Sequence, residues 1–91
     1  MSTVRDNPEL MRYELEVAGG VAFADYRRQG DTLAITHTVT PPALRGQGIA
    51  GRLVAGLLAD ARSRGLKIRP LCSYVVDYFE RHPEERDLLA S

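Results

Sequence analysis

The sequence predicts an α+β domain built on a mixed sheet, and three observations lead there. The first third of the chain alternates apolar and polar residues with period two. A glycine-rich stretch then opens a segment whose apolar residues recur every three or four positions, and a short apolar run follows Gly65. At 91 residues the chain is expected to form one domain over 1–91, with no internal repeat, linker or low-complexity tract.

The first strand is expected over residues 11–17, where Tyr13, Leu15 and Val17 alternate with Arg12, Glu14 and Glu16, and Gly19-Gly20 supplies the turn that ends it. Residues 21–28 return as a hairpin partner. After a second turn at Gln29-Gly30-Asp31, residues 32–39 set Leu33, Ile35, His37 and Val39 against Thr32, Ala34, Thr36 and Thr38. Together these make an antiparallel meander. Pro41-Pro42 ends it, because proline brings no N–H to a strand ladder and biases its predecessor away from helix.

A helix over about 47–64 follows from the stripe Ile49, Leu53, Leu57, Leu58 and Ala61, closed by Arg62, Arg64 and Gly65. Residues 66–72 read as a fourth strand with an unpaired edge at Pro70, parallel to the third through a right-handed crossover. A short helix is expected over 74–81, ended by His82-Pro83, with a last turn over 84–90. The first and last few residues should be the least ordered.

Twelve Lys and Arg balance twelve Asp and Glu, scattered along the chain, which disfavours a nucleic-acid groove. The single cysteine, Cys72, cannot close an internal disulfide, and no run resembles a membrane span or signal peptide. A soluble, cytoplasmic protein with no membrane partner is expected.

The chemistry concentrates in "TPPALRGQGIAGRLVAG", residues 40–56, where three glycines cluster at a helix start. Unpaired N–H groups and the positive end of the helix dipole favour an anion there, and glycines let it approach closely. Gly46, Gly48 and Gly51 satisfy G-x-G-x-x-G, yet the dinucleotide reading needs an acid about twenty positions on, and residues 62–76 contain none. A Walker loop fails as well, since no lysine and hydroxyl pair follows.

Arg45-Gly46-Gln47-Gly48-Ile49-Ala50 resembles the R/Q-x-x-G-x-G/A signature of the GNAT superfamily of acetyl-CoA-dependent acetyltransferases. The blocks "ITHTVTPPALRGQGIAGRL" and "GLKIRPLCSYVVDYFERHPE" resemble the small stand-alone members of that superfamily, and the resemblance runs from about Asn7 to Leu89. It implies a minimal GNAT-like fold and a specific ligand site. The backbone of Arg45, Gly46, Gln47, Gly48, Ile49, Ala50 and Gly51 would hold the pyrophosphate of coenzyme A, with the Arg45 side chain adding charge. The third and fourth strands would splay, and the pantetheine arm would pair with backbone near Thr38, Val39 and Thr40.

The implied catalytic apparatus departs from the common pattern. Against the family's N-x-x-A-x-x-x-Y run, Phe79 falls in the slot of the usual tyrosine acid, with Tyr78 beside it, and Cys72 takes the asparagine position. A thiol at a strand end just before a helix can have its pKa lowered and accept the acetyl group itself. His37, at the end of the neighbouring strand, would serve as base or orienting partner, so a Cys72–His37 pair across the wedge is expected. In the bland alternative both simply pack, since His37 shares phase with Leu33 and Ile35. Two further departures matter: Val39 stands where the small family is expected to carry glutamate, and Gly19-Gly20 replace the helices that build part of the acceptor site. His37, Cys72 and His82 lack metal-site spacing, so no metal is expected.

These features predict an acetyltransferase-like domain that binds acetyl-CoA and acts on an exposed amine of a protein or small molecule. A non-catalytic CoA-binding or acyl-sensing module is the alternative; a nucleotide-binding interaction domain is a third.

Overall fold

Five strands form one sheet in the order β1-β2-β3-β4-β5: β1 Val4–Asn7, β2 Arg12–Val17, β3 Gly20–Gln29, β4 Thr32–Val39 and β5 Lys67–Pro70. The structure is a computed structural model and describes residues 4–90. The first four strands are an antiparallel meander, and β5 lies parallel to β4. The crossover between them is helix α1, Ile49–Arg64; helix α2, Ser73–Arg81, and a 3-10 segment, Pro83–Leu88, complete the chain.

β1 was not expected. Of its four residues, VRDN, only Val4 is apolar, so the segment has no readable period, yet it pairs in full with β2 from Val4↔Leu15 to Asn7↔Arg12. Its place is set from above by α1, where Gly56 leaves the space that Val4 fills; a Cβ there would overlap the Val4 side chain. The expected fourth strand is shorter than 66–72. Leu66 belongs to the helix cap, its N–H donating to Ala61 O at 2.9 Å, and pairing with β4 stops at Ile35↔Pro70.

One face of the sheet is apolar. Tyr13, Leu15, Ala22, Ala24, Tyr26, Leu33, Ile35 and Ile68 are buried there in one cluster with Leu53, Val54, Leu57 and Leu58 of α1 and Val75, Tyr78 and Phe79 of α2. Burying each leucine is worth about 1.5–3 kcal/mol, which is what holds a 16-residue helix whose own sequence carries two glycines. The opposite face is polar and open, with Arg27, His37, Lys67 and Arg69 exposed and Arg12 lying 4.3 Å over the Phe23 ring.

A β-bulge interrupts the meander at the point that matters for function. Asp25 pairs with His37, but the next residue, Tyr26, pairs with Ile35, so Thr36 is the extra residue on β4. Because side chains alternate across a strand, one inserted residue exchanges the two faces beyond it. Thr38 now points to the side of Ile35, and His37 points away. Among the described residues no helix is long and apolar enough to cross a membrane.

Candidate functional site

The segment between β4 and α1 is a short 3-10 turn, Pro42–Leu44, followed by a loop whose path depends on glycine. Gly46 and Gly48 have φ of 81° and 73°, a region that side chains with a Cβ rarely adopt, and Gly48 is the N-cap of α1. It offers no side chain to cap the helix, and the first turn holds no acidic residue. The N–H groups from Gly46 to Gly51 meet no acceptor among the described residues. Five of these residues, Gly46, Gly48, Ile49, Ala50 and Gly51, line one cleft of about 220 Å³ together with Thr40, Leu44, Arg45 and Tyr74, at the positive end of the helix dipole.

A second cleft, about 400 Å³, continues from it through Thr40, Arg45, Ala50 and Tyr74 to Thr38, Val39, Cys72 and Ser73. It sits where the sheet opens. The last backbone link between β4 and β5 is the Leu71 N–H donating to Ile35 O at 3.0 Å, and past it β4 runs on to Val39 with only its β3 edge paired. Arg45 hangs over the junction of the two clefts, its Nε donating to Thr40 O at 3.3 Å. Arg45, Gly46, Gly48, Ile49, Ala50 and Gly51 of the expected pyrophosphate loop, with Val39 and Thr40, line the two clefts; Gln47 is exposed and lines neither.

Cys72, half-buried at the N-cap of α2, faces the second cleft with its Sγ 3.3 Å from Thr38 Oγ1. Burial pushes the thiol up, but the Thr38 hydroxyl and the N–H groups of Val75 and Tyr74 outweigh it, so the thiol sits below its ordinary value. His37 is not its partner. The bulge at Thr36 turns His37 to the open face, where it is exposed, its Nδ1 lies 3.2 Å from Thr36 Oγ1, and it lines a separate groove with Leu10, Met11, Asp25 and Arg27. The phase shared with Leu33 and Ile35 in the sequence is broken by that extra residue, which no periodicity reveals.

Neither aromatic in the family's acid slot reaches the clefts. Phe79 is buried in the core, and Tyr78 is buried with its ring stacked 4.2 Å from that of His82. Burial, followed by the carboxylate of Glu85, pushes the Tyr78 hydroxyl up. The residue that sequence reasoning missed is Tyr74, which borders both clefts. Its signal was position alone: two residues past Cys72, in the first turn of a helix that starts at the mouth of the sheet.

The chain is similar to known proteins in family and in fold. Residues 12–88 match the family model described as GCN5-related N-acetyl-transferase. The solution NMR structure of a GCN5-like protein from Staphylococcus aureus superposes with a TM-score of 0.74 at 22% identity, covering 98% of this chain and 88% of that one. The fold is therefore GNAT-like, and with 77 consecutive positions matched, from 12 to 88, the chain belongs to the GCN5-related N-acetyltransferase family.

Proposed function

We propose that the chain binds acetyl-CoA along the two joined clefts and transfers the acetyl group to an amine. One observation carries this reading: the uncompensated N–H groups from Gly46 to Gly51 open onto the same continuous path as the gap between β4 and β5. The donors suit a diphosphate, whose charge the dipole and Arg45 complement. The unpaired edge of β4 near Val39 and Thr40 suits an amide-bearing arm that pairs as an added strand.

In the chemical step we assign Cys72 as the first acceptor. Its thiolate attacks the thioester carbonyl, the carbon–sulfur bond to the coenzyme breaks, and the departing thiolate takes a proton from solvent, leaving acetyl-Cys72 and free CoA. An amine then attacks acetyl-Cys72 and regenerates the thiol. The proton lost by the amine goes to the departing Cys72 thiolate, and His37, turned to the open face in a separate groove, has no part in this step. A non-catalytic CoA-binding or acyl-sensing module is the second reading, favoured by Phe79 and Tyr78 both being buried away from the clefts.

Calorimetric titration with CoA and acetyl-CoA tests binding; no heat with either ends both readings. Incubation with acetyl-CoA followed by intact mass measurement separates them. One added acetyl group on the wild type and none on Cys72→Ala is expected for the enzyme, whereas an unlabelled wild type that releases no CoA in the presence of amines identifies the sensor.

A further inference from the structure

The hydroxyls of the chain's tyrosines are not equivalent. Tyr13 Oη donates to Asp60 at 2.5 Å and Tyr26 Oη to Asp6 at 2.6 Å, while Tyr78 is buried against His82. Tyr74 differs: it is half-buried, its hydroxyl meets no hydrogen-bonding partner among the described residues, and it borders both clefts. That hydroxyl lies 3.7 Å from the point where a Cβ on Gly51 would sit.

Gly51 differs from the other glycines of the loop. Gly46 and Gly48 need glycine for their backbone angles, whereas Gly51 lies inside α1 without a positive φ. Its conformation would accept alanine, and at 3.7 Å the Tyr74 hydroxyl would touch an added methyl at ordinary contact distance. The missing side chain therefore serves neither the backbone nor the unliganded packing. Helical Cβ atoms tilt toward the N-terminus, so a methyl at position 51 would project into the space between the loop donors and Tyr74.

We infer that this space receives a phosphate oxygen and that the Tyr74 hydroxyl donates to the diphosphate from the side opposite the loop N–H groups, making Tyr74 a binding residue for the coenzyme. The inference rests on the acetyl-CoA reading above. It turns a one-sided row of backbone donors into a clamp, and it gives the third glycine of the loop a purpose. It also separates Tyr74 from the leaving thiol, since its hydroxyl stands at the phosphate end of the path, beside Gly51.

The test titrates wild type, Tyr74→Phe and Gly51→Ala with CoA, following the heat and the ³¹P shifts of the bound diphosphate. The phenylalanine variant keeps the ring and removes only an unpaired hydroxyl, so its thermal unfolding should match the wild type. A charge-assisted hydrogen bond lost to phosphate predicts CoA binding about tenfold weaker in Tyr74→Phe. A weaker complex of similar size is expected for Gly51→Ala, with the diphosphate resonances displaced from their wild-type positions in both. If wild type binds CoA and Tyr74→Phe binds it equally well with unchanged resonances, the inference is overturned while the acetyl-CoA reading stands. If affinity falls but the diphosphate resonances do not move, the hydroxyl acts elsewhere on the ligand and the inference is again overturned. A wild type that binds no CoA overturns both.

Discussion

At its C-terminal end α1 is closed by its neighbours, whereas at its N-terminal end nothing among the described residues closes it. Gly65, with φ of 71°, turns back so that its N–H reaches the carbonyls of Ala61 and Arg62. Arg64 meets both Asp60 and Asp6, Asp60 also accepts from Tyr13, and Asp6 accepts from Tyr26, tying α1 to β1, β2 and β3. Arg62 bridges Glu85 and Asp87 of the last segment. The other end has a glycine N-cap, no acidic residue in the first turn and a row of donors without acceptors. A glycine N-cap in place of Ser, Asn or Asp forgoes a few tenths of a kcal/mol. The contrast teaches that one end is finished by the protein itself, whereas the other keeps donors of the kind an anion would satisfy.

The sharpest way to break this comparison is to give the open end a charge of its own. In Gly48→Asp the left-handed backbone is strained by about 1 kcal/mol, less than for most side chains, and the carboxylate brings a negative charge to the bare N–H groups. CoA binding by calorimetry should fall at least about a hundredfold, or roughly 2.7 kcal/mol, while the fold survives. Unchanged affinity would mean that the donors do not hold the ligand.

The closed end is tested next. Tyr13→Phe removes the donor that Asp60 receives at 2.5 Å, and urea unfolding should show a loss of about 1.5–3 kcal/mol. The same network predicts alkaline sensitivity. Burial, then the bond to Asp6, pushes Tyr26 up to about 12, and burial with the bond to Asp60 raises Tyr13 further. Both folded values lie above the unfolded value near 10, so the neutral, protonated form is favoured by folding. Stability from these groups is whole below pH ~10 and is lost as pH rises through about 12. Thermal unfolding in that window should be steep for wild type and shallower for Tyr26→Phe; equal slopes would assign the loss to other groups.

A smaller effect compares two glycines of the one helix. Gly56→Ala must displace Val4, whose Cβ lies 2.6 Å from the new methyl, and should destabilise by about 1–2 kcal/mol after the helix propensity gain. Gly51→Ala meets no such obstacle and should leave stability unchanged or raise it by about 0.5 kcal/mol. Opposite signs in a urea series would confirm that one glycine answers to the sheet and the other does not.

The meander, the crossover helix and the loop at its start were legible because each rests on a local rule: alternation for Tyr13 and Leu15, a three-and-four stripe for Leu53 and Leu57, glycines where the backbone turns left-handed. β1 was not legible, since three of its four residues are polar and its strand state comes from pairing with β2 and from the hole at Gly56. His37 was misplaced for a related reason. Its phase with Ile35 is real in the sequence, but the extra residue at Thr36 is registered only when β3 pairs with β4.

By itself, then, the order of residues determined the element types from β2 to α2, the anion-ready helix start and the family resemblance, because propensity, alternation and backbone freedom act within a few positions. Tertiary structure alone decided that Thr38 faces Cys72, that His37 looks away, and that Tyr74 stands over Gly51. Those facts depend on the register between strands and on the meeting of two helix starts distant in the chain, and contacts of that range leave no period to read.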